Sequence, residues 1–164
     1  MRDTADHLRS VVETVTPRLR ALSRSDVTRN PYPPRWSKIQ VLGHLIDSAC
    51  NNQMKFVLAM ERPHTKVVGY AQNRWVDAQR YQDADWAHLV ELWRLSNLHL
   101  AHVIENAPAE ALAHTLTITG AQGDAGPFTL AFVMADYVEH MKHHLLQILP
   151  DAPLTHTFKN EYGA

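Results

Sequence analysis

Histidine is the residue this chain uses in excess, with eleven in 164 residues, and three of them crowd into five positions: His140, His143 and His144. Each residue of a helix advances by about 100°, so His140 and His144 lie roughly 40° apart and one turn from each other, near enough to turn both rings toward one ion. Against the apolar stripe Leu130, Val133, Met134, Tyr137, Met141, Leu145 and Ile148 the pair falls along the inner edge, while Lys142 and His143 project outward. The i, i+4 spacing is the one metal sites on helices use, and surface histidines also fall there by chance. His44 adds a third candidate, on an inward polar strip that it shares with Ser48 and Asn51. A lone histidine in that position is more often a core residue bonded to a neighbour. Three inward histidines on two helices fit a divalent ion better. Three neutral imidazoles would leave the ion its full charge and an open position for water or substrate, the arrangement of a catalytic rather than a structural site.

Other residues could support such a centre, each with a plainer reading beside it. Asp136, one turn before His140, could hold a ligand ring or simply face solvent. Asp47 lies about 60° from His44 and is equally ambiguous. Tyr70, Asn73 and Trp75 could line a mouth over the metal, although packing is the commoner fate of such aromatics. Cys50 points about 120° away from His44, and His99 and His102 read as flank or surface residues. Ser48 beside a histidine does not make a serine hydrolase, since no Gly-x-Ser-x-Gly turn is present.

The elements that must position these residues are helical. Leu8, Val11, Val12, Val15, Leu19 and Leu22 predict a first amphipathic helix over about 3–24, with Pro17 as a kink. The proline-rich stretch from Asn30 to Pro34 is a loop. Ser37 and Gln40 form a capping box that opens the second helix, about 37–62, which carries His44. A long, lid-like connection over 63–83, with room for one short helix, leads to a third helix over about 84–106, capped by Asp83 or Asp85. Thr115 to Thr119 could be a short extended piece, and the glycine-rich residues after it read as loop. Thr129 caps the last helix, about 129–149, and a tail with Phe158 and Tyr162 follows. The expected fold is an all-α four-helix bundle, a single domain over 1–164.

Composition narrows the partners. A 45% hydrophobic content suits an ordinary globule, and 16 basic against 17 acidic residues give no electrostatic footprint for nucleic acid or an anionic membrane. One cysteine excludes an internal disulfide, and no apolar run reaches the roughly 20 residues that cross a bilayer. Cytoplasm is the expected location, and a small molecule the expected substrate.

The segments Trp36-Ser-Lys-Ile-Gln-Val-Leu-Gly-His44-Leu-Ile-Asp47-Ser and Asp136-Tyr-Val-Glu-His140-Met-Lys-His143-His144-Leu-Leu-Gln-Ile148, in this order and at this separation, resemble the DinB/YfiT-like superfamily of metal-dependent proteins. The resemblance covers nearly the whole chain. It implies a four-helix bundle holding a divalent ion, often zinc or nickel, on three histidines that map to His44, His140 and His144. It also implies a homodimer and two candidate activities. One is transfer of a low-molecular-weight thiol such as bacillithiol or mycothiol, in which a metal-activated thiolate attacks an electrophile. The other is hydrolysis by water at the open metal position. A non-catalytic metal-binding or interaction bundle is the alternative from another class.

Overall fold

The computed structural model describes residues 1–30, 35–120 and 123–159; Pro31 to Pro34 of the proline-rich loop and Tyr162 of the tail lie outside them. Four long helices dominate: α1 (Arg2–Arg20), α3 (Lys38–Glu61), α5 (Trp86–Glu105) and α6 (Leu130–Ile148). Two short ones join them, α2 (Arg24–Thr28) and α4 (Gln72–Ala78). Helices α1 and α3 each pack against both α5 and α6, which closes the four into a ring around one apolar core. Every residue of the apolar stripe of α6 is buried, as are Leu8, Val11, Val12, Val15 and Leu19 of α1. On the other two helices Val57 of α3 and Leu92 of α5 are exposed.

The first helix stops at Arg20, earlier than expected, because Ser23 and Asp26 form a capping box that starts α2. The Asp26 amide donates to Ser23 Oγ at 3.2 Å, and the Ser23 amide to Asp26 Oδ2 at 3.3 Å. The other predicted starts coincide with the observed caps. The Ser37 amide donates to Gln40 Oε1 at 3.0 Å, the His88 amide to Asp85 Oδ1 at 2.9 Å and the Phe132 amide to Thr129 Oγ1 at 3.2 Å.

An all-helical chain is the larger correction. Strands β1 (His64–Val68), β2 (Thr115–Gly120) and β3 (Gly123–Thr129) form a small sheet in that order, β1 parallel to β2 and β2 antiparallel to β3. β1 lies in the stretch read as a lid-like connection, and β3 where a loop was expected. Only Thr65 and Val67 of β1 turn inward, too brief an alternation to stand out. β3 is glycine-rich, contains Gly126-Pro127 and occupies a sheet edge, where a missing amide donor is tolerated. The sheet ties the end of α3 to the start of α6, and so fixes how the two histidine-bearing helices face each other.

The rest of the 63–83 connection docks on α3. Tyr81 lies over Gly43, where an added Cβ would come 2.2 Å from Tyr81 Cδ2. Tyr81 donates to Asp47 Oδ1 at 2.8 Å, and Gln79 Nε2 to the same oxygen at 2.6 Å. Gly43→Ala must therefore displace the Tyr81 ring, and it is expected to destabilise the protein by about 2 kcal/mol. Urea unfolding of the variant checks this; an unchanged midpoint would show that the ring moves freely.

Candidate metal centre

His44 stands in the second turn of α3, fixed from below by the Ser37 cap and completely buried. Trp36 packs on its ring with centroids 5.0 Å apart. His140 and His144 face it from α6, half-buried, with ring centroids 5.3 and 4.7 Å from that of His44 and 4.6 Å from each other. One ligand atom from each ring lies within 4.8 Å of the other two. His44 Nε2 and His140 Nε2 are 3.4 Å apart. Two nitrogens bound tetrahedrally at 2.0–2.1 Å would be separated by about 3.4 Å, so this pair already has the spacing an ion such as zinc requires.

The far side of one ring is held in the matching tautomer by an amide oxygen, and that of a second meets a hydroxyl. His144 Nδ1 meets Gln147 Oε1 at 3.1 Å, and His44 Nδ1 meets the Tyr70 hydroxyl at 3.5 Å. A ring that donates from Nδ1 keeps the Nε2 lone pair free for an ion. Burial, assisted by the neighbouring His144, pushes His44 down to about 3. Burial likewise lowers His144 to about 4 and His140 well below the ordinary imidazole value. All three are therefore neutral at physiological pH, the form that ligates metal.

These rings open onto a cavity of about 1150 Å³, bounded by α3, the 69–74 segment, the β2–β3 hairpin and α6. Ser48, Tyr70, Asn73 and Asp136 line it. Trp75 packs against Tyr70 with centroids 4.8 Å apart and ring planes tilted by 53°, and is not part of the cavity lining. Asn51 is buried and donates to the Asp47 carbonyl at 2.9 Å, an ordinary bond along the helix. Asp47 neither faces water nor holds a ligand ring. It is buried beneath Gln79 and Tyr81, and burial raises its pKa despite those two donors. Tyr70 and Gln147 meet the outer nitrogens of His44 and His144, whereas Asp47 is taken up by Gln79 and Tyr81.

The outward face of α6 is also covered. Lys142 is buried in an ion pair with Glu139 at 2.5 Å, and Glu139 accepts the Thr157 amide at 2.7 Å. That contact folds the tail back over the helix. His156 then meets His143 at 3.2 Å, and Phe158 packs on both His140 and His143. His143 also lines the cavity, but its ring nitrogens meet His156 and Gln147 rather than the triad, while His99 and His102 are exposed on α5. Sequence reading passed over Lys55 and Gln147. Lys55 shares His44's face three turns on, and a helical wheel centred on His44 would have found it.

The DinB superfamily model matches residues 7–148. A Bacillus cereus protein named "Putative metal-dependent hydrolase" is 26% identical over 115 residues, which cover 69% of this chain. A Bacillus anthracis protein of the same name matches equally, and the chain spans about 62% of the length of both relatives. Among solved structures, Bacillus subtilis YfiT, described as "a probable metal-dependent hydrolase with an unusual four-helix bundle topology", superposes with a TM-score of 0.77. The alignment is 17% identical and covers 90% of this chain and 83% of that one. The mycothiol-dependent maleylpyruvate isomerase superposes with a TM-score of 0.64 at 14% identity, covering 97% of this chain and 63% of that one. At such identities the two structures speak for the fold alone. Since the family model runs from the first helix to the end of the last, this chain belongs to the DinB superfamily.

Proposed function

We propose that the chain is a metal-dependent enzyme acting on small molecules, with His44, His140 and His144 holding a divalent ion, zinc or nickel, and thiol transfer to an electrophile as its reaction. The observation that carries this reading is three neutral, pre-spaced imidazoles at the wall of a cavity of about 1150 Å³. That volume slightly exceeds the usual range for one drug-sized ligand and suits a thiol cosubstrate together with a second reactant. When bound, the metal supplies a Lewis acid that lowers the pKa of a thiol and so replaces a general base. The protein's part is to orient the rings through Tyr70 and Gln147, to exclude water with Trp36 and Phe158, and to hold the reactants between α3 and the 69–74 segment.

Hydrolysis is the second reading, favoured by the names of the Bacillus relatives. One experiment separates the two. The metal-loaded protein is incubated with cellular thiols and 1-chloro-2,4-dinitrobenzene, and in parallel with p-nitrophenyl acetate. Thiol-dependent product that disappears on chelation is the expected result. Ester cleavage without any thiol dependence would favour the hydrolase, and no metal-dependent turnover in either assay would leave a binding protein.

A further inference from the structure

Among the described residues, two lysines are buried. Lys142 has its carboxylate, Glu139 at 2.5 Å. Lys55, only 9% exposed, has none: no carboxylate among the described residues forms an ion pair with it, and it makes no hydrogen bond to any of them. Its stem is buried but its ammonium is not sealed off from the cavity, so a positive charge with no counter-charge from the described residues is presented to whatever enters there, and an anion supplied from the cavity would complete it. Lys55 lines the same cavity as the histidine triad. It follows His44 by eleven residues on α3, so it lies within about 20° of the same face, and its Cα is about 16 Å farther along the axis. The ammonium is close enough to His140 for its charge to help lower the pKa of that ring, which puts it on the order of 10 Å, a Debye length, from the triad. Ser48 and Asn52 occupy the intervening turns of the same wall, and exposed Arg74 adds a second positive charge to the lining. Asp124, also in the lining, is paired with Lys66 at 3.6 Å.

We infer that Lys55 is the anion-recognition residue of this cavity, and that the substrate or cosubstrate carries a carboxylate about 10 Å from the atom presented to the three histidines. This rests on the reading of the triad as a metal centre. It adds the chemical class of the ligand, which the triad does not specify. Lysine suits the role because its ammonium is a compact point charge on a flexible stem, able to meet a carboxylate without a fixed bidentate geometry.

The test uses 8-mercaptooctanoate and its primary amide, which share one length and differ only in the charge at the far end. Each is titrated calorimetrically into the full chain, metal-free and cobalt-loaded, and the thiolate-to-cobalt absorption is followed in the loaded form. The acid is expected to bind at least about tenfold tighter than the amide in both forms. The preference should vanish in Lys55→Met and Lys55→Gln and persist in Lys55→Arg. Equal binding of acid and amide to the wild-type protein overturns the inference, as does a preference that survives Lys55→Met. The wild-type comparison decides the matter even where a variant folds poorly. Failure of the metal reading looks different: cobalt would not bind, or no thiolate absorption would develop, while the acid-to-amide ratio in the metal-free protein would still report on Lys55.

Discussion

Replacing any one of His44, His140 or His144 with alanine is expected to lower the affinity for zinc or nickel by at least about a hundredfold, the upper range for loss of a mere supporting contact to a ligand. Equilibrium dialysis of untagged protein followed by elemental analysis measures this directly. His143→Ala and His99→Ala should bind like the wild type. His143 is the demanding control, because it lies beside His144 in sequence, with ring centroids 5.0 Å apart, and belongs to the same histidine cluster. What separates it from the ligands is direction: its two ring nitrogens meet His156 and Gln147, each at 3.2 Å. A variant at His143 that lost metal as completely as His144→Ala would mean that the ion sits behind α6, and the assignment of the triad would fall. His44→Ala probes the other half of the centre, since it removes the α3 ligand and leaves the α6 pair in place. If that pair alone retained full affinity, the site would be a two-residue surface chelate with no need of the bundle.

The parts of this arrangement that could be read from sequence are those set by local rules. The Ser37–Gln40 box, the Asp85 and Thr129 caps and the apolar stripes of α1 and α6 each depend on residues within a turn or two of one another, and each corresponds to a feature of the structure. The facing of His44 toward His140 and His144 could be suspected, because helical phase places a side chain relative to its own stripe. The features that sequence did not yield depend on distant partners. Asp47 looked ambiguous because its neighbours Gln79 and Tyr81 arrive from a connection whose path no local pattern dictates. Lys142 and His143 looked solvated because the tail returns through contacts distant in sequence, among them Thr157 with Glu139 and His156 with His143. β3 was invisible because glycine and proline have low strand propensity, and its place is decided by pairing with β2.

The neutrality of the triad has a consequence for stability that can be measured without any metal. Burial holds His44 near 3 and His144 near 4, with His140 also well below the value near 6.5 that each has when unfolded. Below about pH 6.5 the unfolded chain therefore takes up protons that the folded chain refuses, and the equilibrium moves toward unfolding. The stabilisation is fully present above that pH and is lost progressively as pH falls toward the folded values. Each group contributes up to about 1.4 kcal/mol per pH unit, so three acting together give an upper limit of about 4 kcal/mol per unit. Asp47 acts in the opposite sense, because its pKa is raised and its protonation favours the folded state, but it is one group against three. Against a typical stability of about 5–15 kcal/mol, the metal-free protein should weaken by several kcal/mol between pH 7 and 5. Urea unfolding in the presence of a chelator at the two pH values gives the difference. Adding zinc at pH 7 should raise the midpoint, and the gain should shrink on acidification as protons compete for the same nitrogens. Equal midpoints at both pH values in the chelated protein would mean that the three imidazoles protonate within the fold, and that water reaches the rings past Trp36 and Phe158.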